Sequence, residues 1–350
     1  MEQEISVKTL VFGSGVGGLG AGSWLKGMGE DDFLIVDKCD AVPKNLHNGV
    51  HYLHSIPSLP FDMEFKSVTL TDGVLDAETP VIGTDGKIDG KTEIRHIPNL
   101  QDMLKYSEKV REVQHPSSIM EIGKRESVFL PKTNTLNEMI VRMESYIGSK
   151  KFMMGYQLHE LNVEEKYADV IDAQKGIIRI HYKNCISTLS LGLVQEHFGE
   201  EYELKANPVY ICNAVVDKIV PNWMINLYVP NSNTPMYRAS LLNNVVSIES
   251  IHEMSREEVD TAFDVLRMFH IDRDSSEVYT WNTGKVMSIS IDQREGIITK
   301  MAKKNFYSIG RFGLWNRKLL VDSTIGQAES VVKFLLNKES WEDVKSKLSK

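Results

Sequence analysis

Six residues near the start of the chain, Gly13-Ser14-Gly15-Val16-Gly17-Gly18, have the types and spacing to hold a phosphate-bearing ligand against bare backbone. In a G-x-G-x-x-G loop the first glycine permits a tight turn and the second lets a pyrophosphate approach the main chain. The last lets the following helix pack closely on a strand. Amides at the start of that helix point at the phosphates, where the helix dipole favours negative charge. Asp37 lies 19 residues beyond Gly18, where a carboxylate accepts hydrogen bonds from ribose hydroxyls and repels a 2′-phosphate. Gly13, Gly15, Gly17, Gly18, Asp37 and Lys38 are therefore candidate cofactor contacts. The plain alternative is a glycine-rich turn without a ligand. Against it stand an apolar run before the loop, a helical pattern after it, and a second strand ending in an acid.

A second group of polar residues is His47, His51 and His54. His47 and His51 have the i, i+4 spacing of a helical zinc pair, but Asn45, Asn48 and Gly49 argue against a helix and no neighbouring carboxylate is placed to act as a base. No metal site is expected. His51 and His54 either face a cofactor or are loop histidines satisfying backbone groups. Arg238, after Tyr237, suits a carboxylate or phosphate; its plain alternative is a surface pair with Glu249. Tyr228, Trp281 and Lys285 wall a pocket on one reading and belong to the core on the other. There is no G-x-S-x-G, no lysine at a phosphate-binding P-loop position, and no motif partner for Cys39, Cys185 or Cys212. The chemistry is expected to be that of a bound cofactor, with His51 and Arg238 as the candidate catalytic side chains.

The elements that position these residues can be read from periodicity. Thr9–Phe12 and Phe33–Val36 are continuous apolar runs of the kind found in buried parallel strands, with a helix between them from Gly18 to Met28. Residues 38–60 read as a long ordered loop. Between residues 65 and 97 the pairs Asp72-Gly73, Asp85-Gly86 and Asp89-Gly90 signal hairpin turns. Helices are expected over 100–113, 135–147, 255–269 and 322–336, with capping boxes at Ser255/Glu258 and Ser340/Asp343. Strands are expected over 177–182, 209–216, 223–229 and 306–309, the middle two separated by Pro221. Both periods alternate, with a succession of strands in the middle, which predicts an α/β chain: a Rossmann-like dinucleotide domain with an inserted antiparallel-sheet substrate domain. The division expected is 1–60, 150–200 and 285–340 for the first, and 61–149 and 201–284 for the second.

The chain has 350 residues, 42% hydrophobic and 25% charged, with a net charge of −8. That is enough to bury a core without disulfides or a structural metal. The acidic balance argues against a bulk nucleic-acid or anionic-membrane surface. Three cysteines without C-x-x-C spacing suit a reducing compartment. Neither a signal-peptide pattern nor a membrane-length apolar run occurs. The expectation is a soluble cytoplasmic protein with a small-molecule or nucleotide-linked substrate; oligomeric state is left open.

Several segments resemble a known family. Gly49-Val50-His51-Tyr52-Leu53-His54 is similar to the G-x-H-x-F-H stretch of UDP-galactopyranose mutases. Cys185-Ile186-Ser187-Thr188-Leu189-Ser190-Leu191 is similar to the return strand shared by that family and amine-oxidase-like flavoproteins, with Ser190 where proline is usual. Gly310-Arg311-Phe312-Gly313-Leu314-Trp315 is similar to the family's G-R-x-G-x-Y. The fingerprint, extended by Gly22 to G-x-G-x-x-G-x-x-x-G, resembles that of glutathione-reductase-type FAD enzymes. The resemblance implies FAD as cofactor, with His54, Gly310, Arg311 and Asp322 near it, and the helix after Asp322 directed at the flavin ring. It departs where Trp315 replaces the expected tyrosine and where the family's lysine-glutamine-tryptophan-glycine insert is missing. Three functional readings follow: oxidation or cleavage of a C–N bond, by an oxidoreductase or a lyase, in a small amine or amino-acid-bearing substrate, including one carried on a modified nucleobase; a mutase acting on a nucleotide sugar; and a non-catalytic dinucleotide-binding module.

Overall fold

The computed structural model describes residues 3–44, 51–77, 81–82, 88–89, 92–95, 97–110, 122, 126–133, 135–172, 174, 176–231, 234–266 and 269–349. In chain order it runs β1 (Gln3–Phe12), α1 (Val16–Gly27), β2 (Phe33–Asp37), β3 (Phe65–Ala77), β4 (Val81–Ile82), β5 (Ile88–Asp89), β6 (Thr92–Arg95) and α2 (Leu100–Lys109). There follow β7 (Ser127–Pro131), α3 (Leu136–Ile147), β8 (Phe152–Met154), β9 (Gln157–Asn162), β10 (Tyr167–Asp172), β11 (Gly176–Ser187) and α4 (Leu191–Val194). The rest is β12 (Ala206–Tyr228), β13 (Arg238–Ser250), α5 (Arg256–Val265), β14 (Ile271–Val286), α6 (Ile291–Lys303), β15 (Phe306–Ser308), α7 (Gly310–Gly313), α8 (Val321–Leu335) and α9 (Trp341–Ser349).

Strands β8, β2, β1 and β11 lie side by side and parallel, and β15 joins β11 in parallel along its second half. The apolar run of β1 is buried on both faces. Val11 packs with Leu19, Ile35, Ile140 and Ile325 beneath α1, α3 and α8, whereas Leu10 and Phe12 pack with Ile180, Ile297 and Phe306 on the other side. That two-sided burial is why the segment reads as continuously hydrophobic. Each such side chain contributes roughly 1.5–3 kcal/mol by leaving water. The first half of β11 instead pairs antiparallel with β10, which continues to β9.

The second sheet is ordered β13-β12-β3-β6, with β14 also on β12 and β7 on β3. Its described pairings are antiparallel except β3 with β12. Two expectations fail here. Asp72-Gly73 is no turn: β3 runs through it, and Gly73 is required because a Cβ there would meet Ile94 Cγ2 at 2.8 Å and Arg95 O at 3.0 Å on the neighbouring strand. Nor does Pro221 end a strand; β12 continues through it, and the irregularity appears as register shifts between Val215, Val220 and Met224. Proline is tolerated at such a bulge because its missing N–H is not needed by the ladder. The turn signals at Asp85-Gly86 and Gly90 lie outside the described residues; the helix expected over 100–113 ends at Lys109, with residues 111–113 outside the described residues. Helix α5 starts at the expected Ser255 capping box but ends at Val265 rather than 269. Among the described residues no helix is long and apolar enough to cross a membrane.

Lys109, at the end of α2, donates from Nζ to Val229 O at 3.0 Å and to Asn231 O at 2.5 Å. Burial pulls its ammonium down to about 7. Between that value and the ordinary lysine range the unfolded chain holds a proton that the folded chain has released, so this residue makes stability rise with pH from about 7 to about 10.5. Lys109→Met is expected to remove that rise. Urea unfolding of both proteins should show the variant losing, relative to the parent, an upward slope worth at most about 2 kcal/mol between pH 7 and 9. Tyrosines and cysteines common to both cancel in the difference.

Candidate functional site

The parallel strands end together: Phe12 is level with Val36 and Ser187, and Ser187 with Ser308. Ligands in such sheets bind beyond the carboxyl ends; the glycine loop follows β1 at that edge, and Gly310-Arg311 follow β15 there. Gly13 has φ +92° and donates to Val36 O at 2.8 Å. A Cβ on Gly18 would lie 1.7 Å from Gly13 O, and one on Gly13 would lie 2.0 Å from Thr188 Oγ1. Thr188 closes the turn from below, its N and Oγ1 both donating to Phe12 O at 2.9 and 2.8 Å. Gly17 is also tight, with Thr188 Cγ2 2.8 Å from its missing Cβ. Gly15 differs: nothing lies within 4 Å of a Cβ placed there. It caps α1 without a side chain, and the first turn holds no acid. No carboxylate of α1 itself therefore competes for its opening amides.

Asp37 ties this loop to the end of β2. Its Oδ2 accepts from Ser14 N at 2.6 Å and Ser14 Oγ at 2.8 Å, and its Oδ1 accepts from Cys39 N at 2.9 Å. A carboxylate offers about four lone-pair positions, so capacity remains for a ribose hydroxyl. Lys38 is exposed beside it. Burial, then the Asp37 charge, pushes the Cys39 thiol up, which makes it a poor nucleophile.

Helix α8 lies against α1. A Cβ on Gly17 would come 3.1 Å from Thr324 Cγ2, and one on Gly20 would come 3.3 Å from Ala328 Cβ. Both chains advance in the same direction through these contacts, so the two helices are parallel and present their N-terminal, positive ends side by side. Gly310, at φ +78°, leads from β15 towards α8 and donates to Gln327 Oε1 at 2.9 Å. Arg311 Nε donates to Leu319 O at 3.1 Å. Asp322, in the first turn of α8, accepts at one oxygen from Ser55 N at 2.9 Å and Ser55 Oγ at 2.7 Å. Trp315 turns away, buried in the core on the opposite face, with Nε1 donating to Lys205 O at 3.2 Å.

The second sheet contributes a cationic cluster. Arg238, first residue of β13, pairs through Nε and one terminal nitrogen with Glu249 Oε1, the Nε contact being 3.0 Å. Tyr237 OH donates to Glu249 Oε2 at 2.5 Å. The pair with Glu249 is made, but it is not a surface pair, since Glu249 is only 5% exposed. Burial works to raise the Glu249 carboxyl, yet Arg238, Tyr237 and Lys285 outweigh it and hold it below its usual range. Arg311 is shifted down, by burial first and then by the charge of Arg238. Arg238 nevertheless keeps 28% of its side chain exposed. Lys285 Nζ sits 4.2 Å from the Tyr237 ring centroid and 5.6 Å from that of Tyr106. Tyr228, buried and edge-on to Tyr106 at 5.6 Å, is pushed above its ordinary range by burial. Three cations thus act on one carboxylate, with Asp72 close enough to affect Tyr228.

Residues 51–55 cross between the two sheets. His51 stacks on Trp281 at 5.5 Å and Tyr52 on His54 at 5.2 Å. Leu53 exchanges two backbone hydrogen bonds with Phe129, at 3.0 and 2.9 Å. His54 Nδ1 is buried without a hydrogen-bond partner. The segment is not helical; His47 and the Gly49-Val50 start of the family-like stretch lie outside the described residues. Sequence reasoning did not single out Ser14, Tyr52 or Ser55. Ser14 occupies a variable motif position, and no local signal could link Ser55 to a residue 267 positions away.

No protein-family model matches the chain, and no curated protein matches it in sequence. Solved structures do match it. A reduced UDP-galactopyranose mutase superposes with a TM-score of 0.69 over 98% of this chain and 96% of that one, at 14% identity. A CLA-producing fatty acid isomerase from P. acnes gives 0.60 over 94% and 98%, at 10% identity. Putrescine oxidase bound to putrescine gives 0.57 over 95% and 100%, at 8% identity. The chain therefore has the Rossmann-like flavoenzyme fold with an added sheet, as its segments suggested.

Gly15→Ala and Gly18→Ala separate ligand binding from folding. Without added ligand, Gly15→Ala should leave thermal stability near that of the parent, since its methyl meets nothing, while weakening dinucleotide binding about tenfold or more (roughly 1.4 kcal/mol). Gly18→Ala should cost several kcal/mol of stability through its clash with Gly13 O. Thermal melts and equilibrium titration of the ligand-free proteins distinguish the two.

Proposed function

We propose that this chain is an FAD-dependent enzyme acting on a small substrate that carries negative charge, and that the reaction oxidises the C–N bond of a carboxylate-bearing amine. One observation carries the reading: helices α1 and α8 run parallel with their N-termini together, α1 is capped by a Gly15 whose Cβ position is unobstructed, and Arg238, Arg311 and Lys285 gather around Glu249. The residues fit the cofactor. Gly15 leaves room for a pyrophosphate, Asp37 retains acceptor capacity for ribose hydroxyls, and His54 Nδ1 is a buried polar atom in want of a partner. In this reading residues 1–60, 150–200 and 285–340 hold the cofactor, and 61–149 with 201–284 form the substrate side.

FAD, when bound, supplies two-electron chemistry that no side chain here provides. The protein's part is to bind and orient. Glu249 occupies one edge of the Arg238 guanidinium, leaving the other edge to meet a carboxylate in a two-pronged contact. Tyr237 locks Glu249 from its second oxygen, so that edge keeps its direction. The excess of cations disfavours a dicationic diamine and favours an anion. The same excess suits a diphosphate. Together with the likeness in fold to a UDP-galactopyranose mutase at a TM-score of 0.69, this favours as second reading a mutase acting on a nucleotide sugar.

Purified protein is expected to be yellow and to release FAD on denaturation; a colourless preparation that binds NAD refutes the assignment. Anaerobic mixing with a panel of amino-acid amines should bleach the flavin without added reductant. The mutase reading predicts no bleaching, and turnover of a nucleotide sugar only after chemical reduction. Arg238→Lys, which keeps the charge but loses the planar fork, should raise KM for the anionic substrate about tenfold with a smaller change in kcat.

A further inference from the structure

Segment 51–55 is fixed to three elements that have no other reason to share it. His51 stacks on Trp281 of β14, Leu53 is paired through its backbone with Phe129 of β7, and Ser55 gives both its amide and its hydroxyl to one oxygen of Asp322 in α8. His54 lies between the last two anchors. Its ring is stacked on Tyr52, and its Nδ1 is buried and unpaired. A buried nitrogen of this kind is disfavoured unless something pairs with it. Imidazole rotation about its side-chain bonds would ordinarily find a partner or water. Here the chain is held on both sides within one residue of the ring, at Leu53 and at Ser55.

We propose that Ser55 and Asp322 form a positioning latch for His54. Asp322 acts through Ser55, not as a ligand to the cofactor, and the latch keeps Nδ1 of His54 aimed at whatever occupies the space beside the α8 N-terminus. The inference rests on the cofactor reading above for the identity of that occupant, FAD or the substrate lying on it. The carboxylate is well placed for this role, because in the first turn of α8 its charge is favoured by the helix dipole. Two donors from one residue fix direction as well as distance, which a single hydrogen bond would not. The geometry also makes the order of the α8 terminus and the orientation of His54 one event, although they are 268 positions apart in the chain. His54 touches the occupant, whereas Ser55 and Asp322 are positioning residues.

The test uses the full-length protein and reads His54 directly. Ring resonances of His54, assigned by comparison with His54→Gln, are followed through a pH titration by NMR in the parent, Ser55→Ala, Ser55→Thr and Asp322→Ala. The latch predicts that Ser55→Ala and Asp322→Ala both shift the His54 resonances and its titration midpoint, and that Ser55→Thr, which keeps the hydroxyl, stays with the parent. Unmoved His54 resonances in Ser55→Ala overturn the proposal, whether or not the protein binds flavin. The second readout is FAD affinity. Ser55→Ala should weaken it about tenfold in the parent and less than twofold in a His54→Ala background, because the latch works only through that ring. An equal loss in both backgrounds means a merely structural contact and refutes the latch. A loss with Asp322→Ala but not with Ser55→Ala means that Asp322 touches the cofactor itself, and refutes it too. A parent protein that binds no flavin refutes the functional reading instead, and leaves the latch to be decided by the NMR result.

Discussion

A missing side chain at Gly18 lets the start of α1 press against the carbonyl of Gly13, and the positions of the other site elements follow from that approach. With the helix so close, its first amides emerge at the edge where β1, β2, β11 and β15 all end. Thr188 then fills the space under Gly13 and bonds twice to Phe12 O, which fixes the end of β11 to the end of β1. From β11 the register passes to β15, and from β15 through Gly310 to α8. The small residues between α1 and α8 let the second helix lie parallel to the first, so one steric permission near the N-terminus sets two helix ends together.

Two like dipole ends side by side repel, and the protein does not neutralise them within the α1 turn, which contains no acid. Asp322 supplies the only acidic side chain in the first turn of α8, and it is engaged by Ser55. Elsewhere the charges are also uneven: a buried Glu249 answers Arg238, while Arg311 and Lys285 add positive charge around it. A net-acidic chain thus gathers three cations around one buried carboxylate. Such a cluster carries more positive than negative charge about Glu249. The second sheet's contribution depends on Glu249: removing it would leave Arg238 desolvated and unpaired, a change expected to cost about 3–5 kcal/mol.

Much of the architecture near the termini was legible in the residues. The glycine loop, Asp37, Gly310 and the α8 amphipathic stripe each carry a local reason for their conformation, and each is placed as that reason requires. The middle was harder. Gly73 and Pro221 carry turn and breaker signals, yet both sit inside long strands, because a close neighbouring strand needs the bare glycine and a bulge accommodates the proline. Helix α6 went unread although Ser290 and Gln293 form its capping box. Its apolar residues Ile297, Ile298 and Met301 are divided between the cores on the two sides of the first sheet, which blurs any single stripe.

What the sequence determined by itself is therefore the geometry of the glycine loop and its flanking elements: glycine spacing, a strand end and an acid are local features, dictated by sterics within some 25 residues. Only the tertiary structure decided the rest. That Arg238 is held by a buried Glu249, that Arg311 feels its charge, that Lys285 lies over Tyr237, and that Ser55 reaches Asp322 are consequences of sheet register and of a chain crossing between two sheets. Those contacts join residues far apart in sequence, whose types are individually common. No spacing rule connects them, because it is the packing of one element against another that sets their separation.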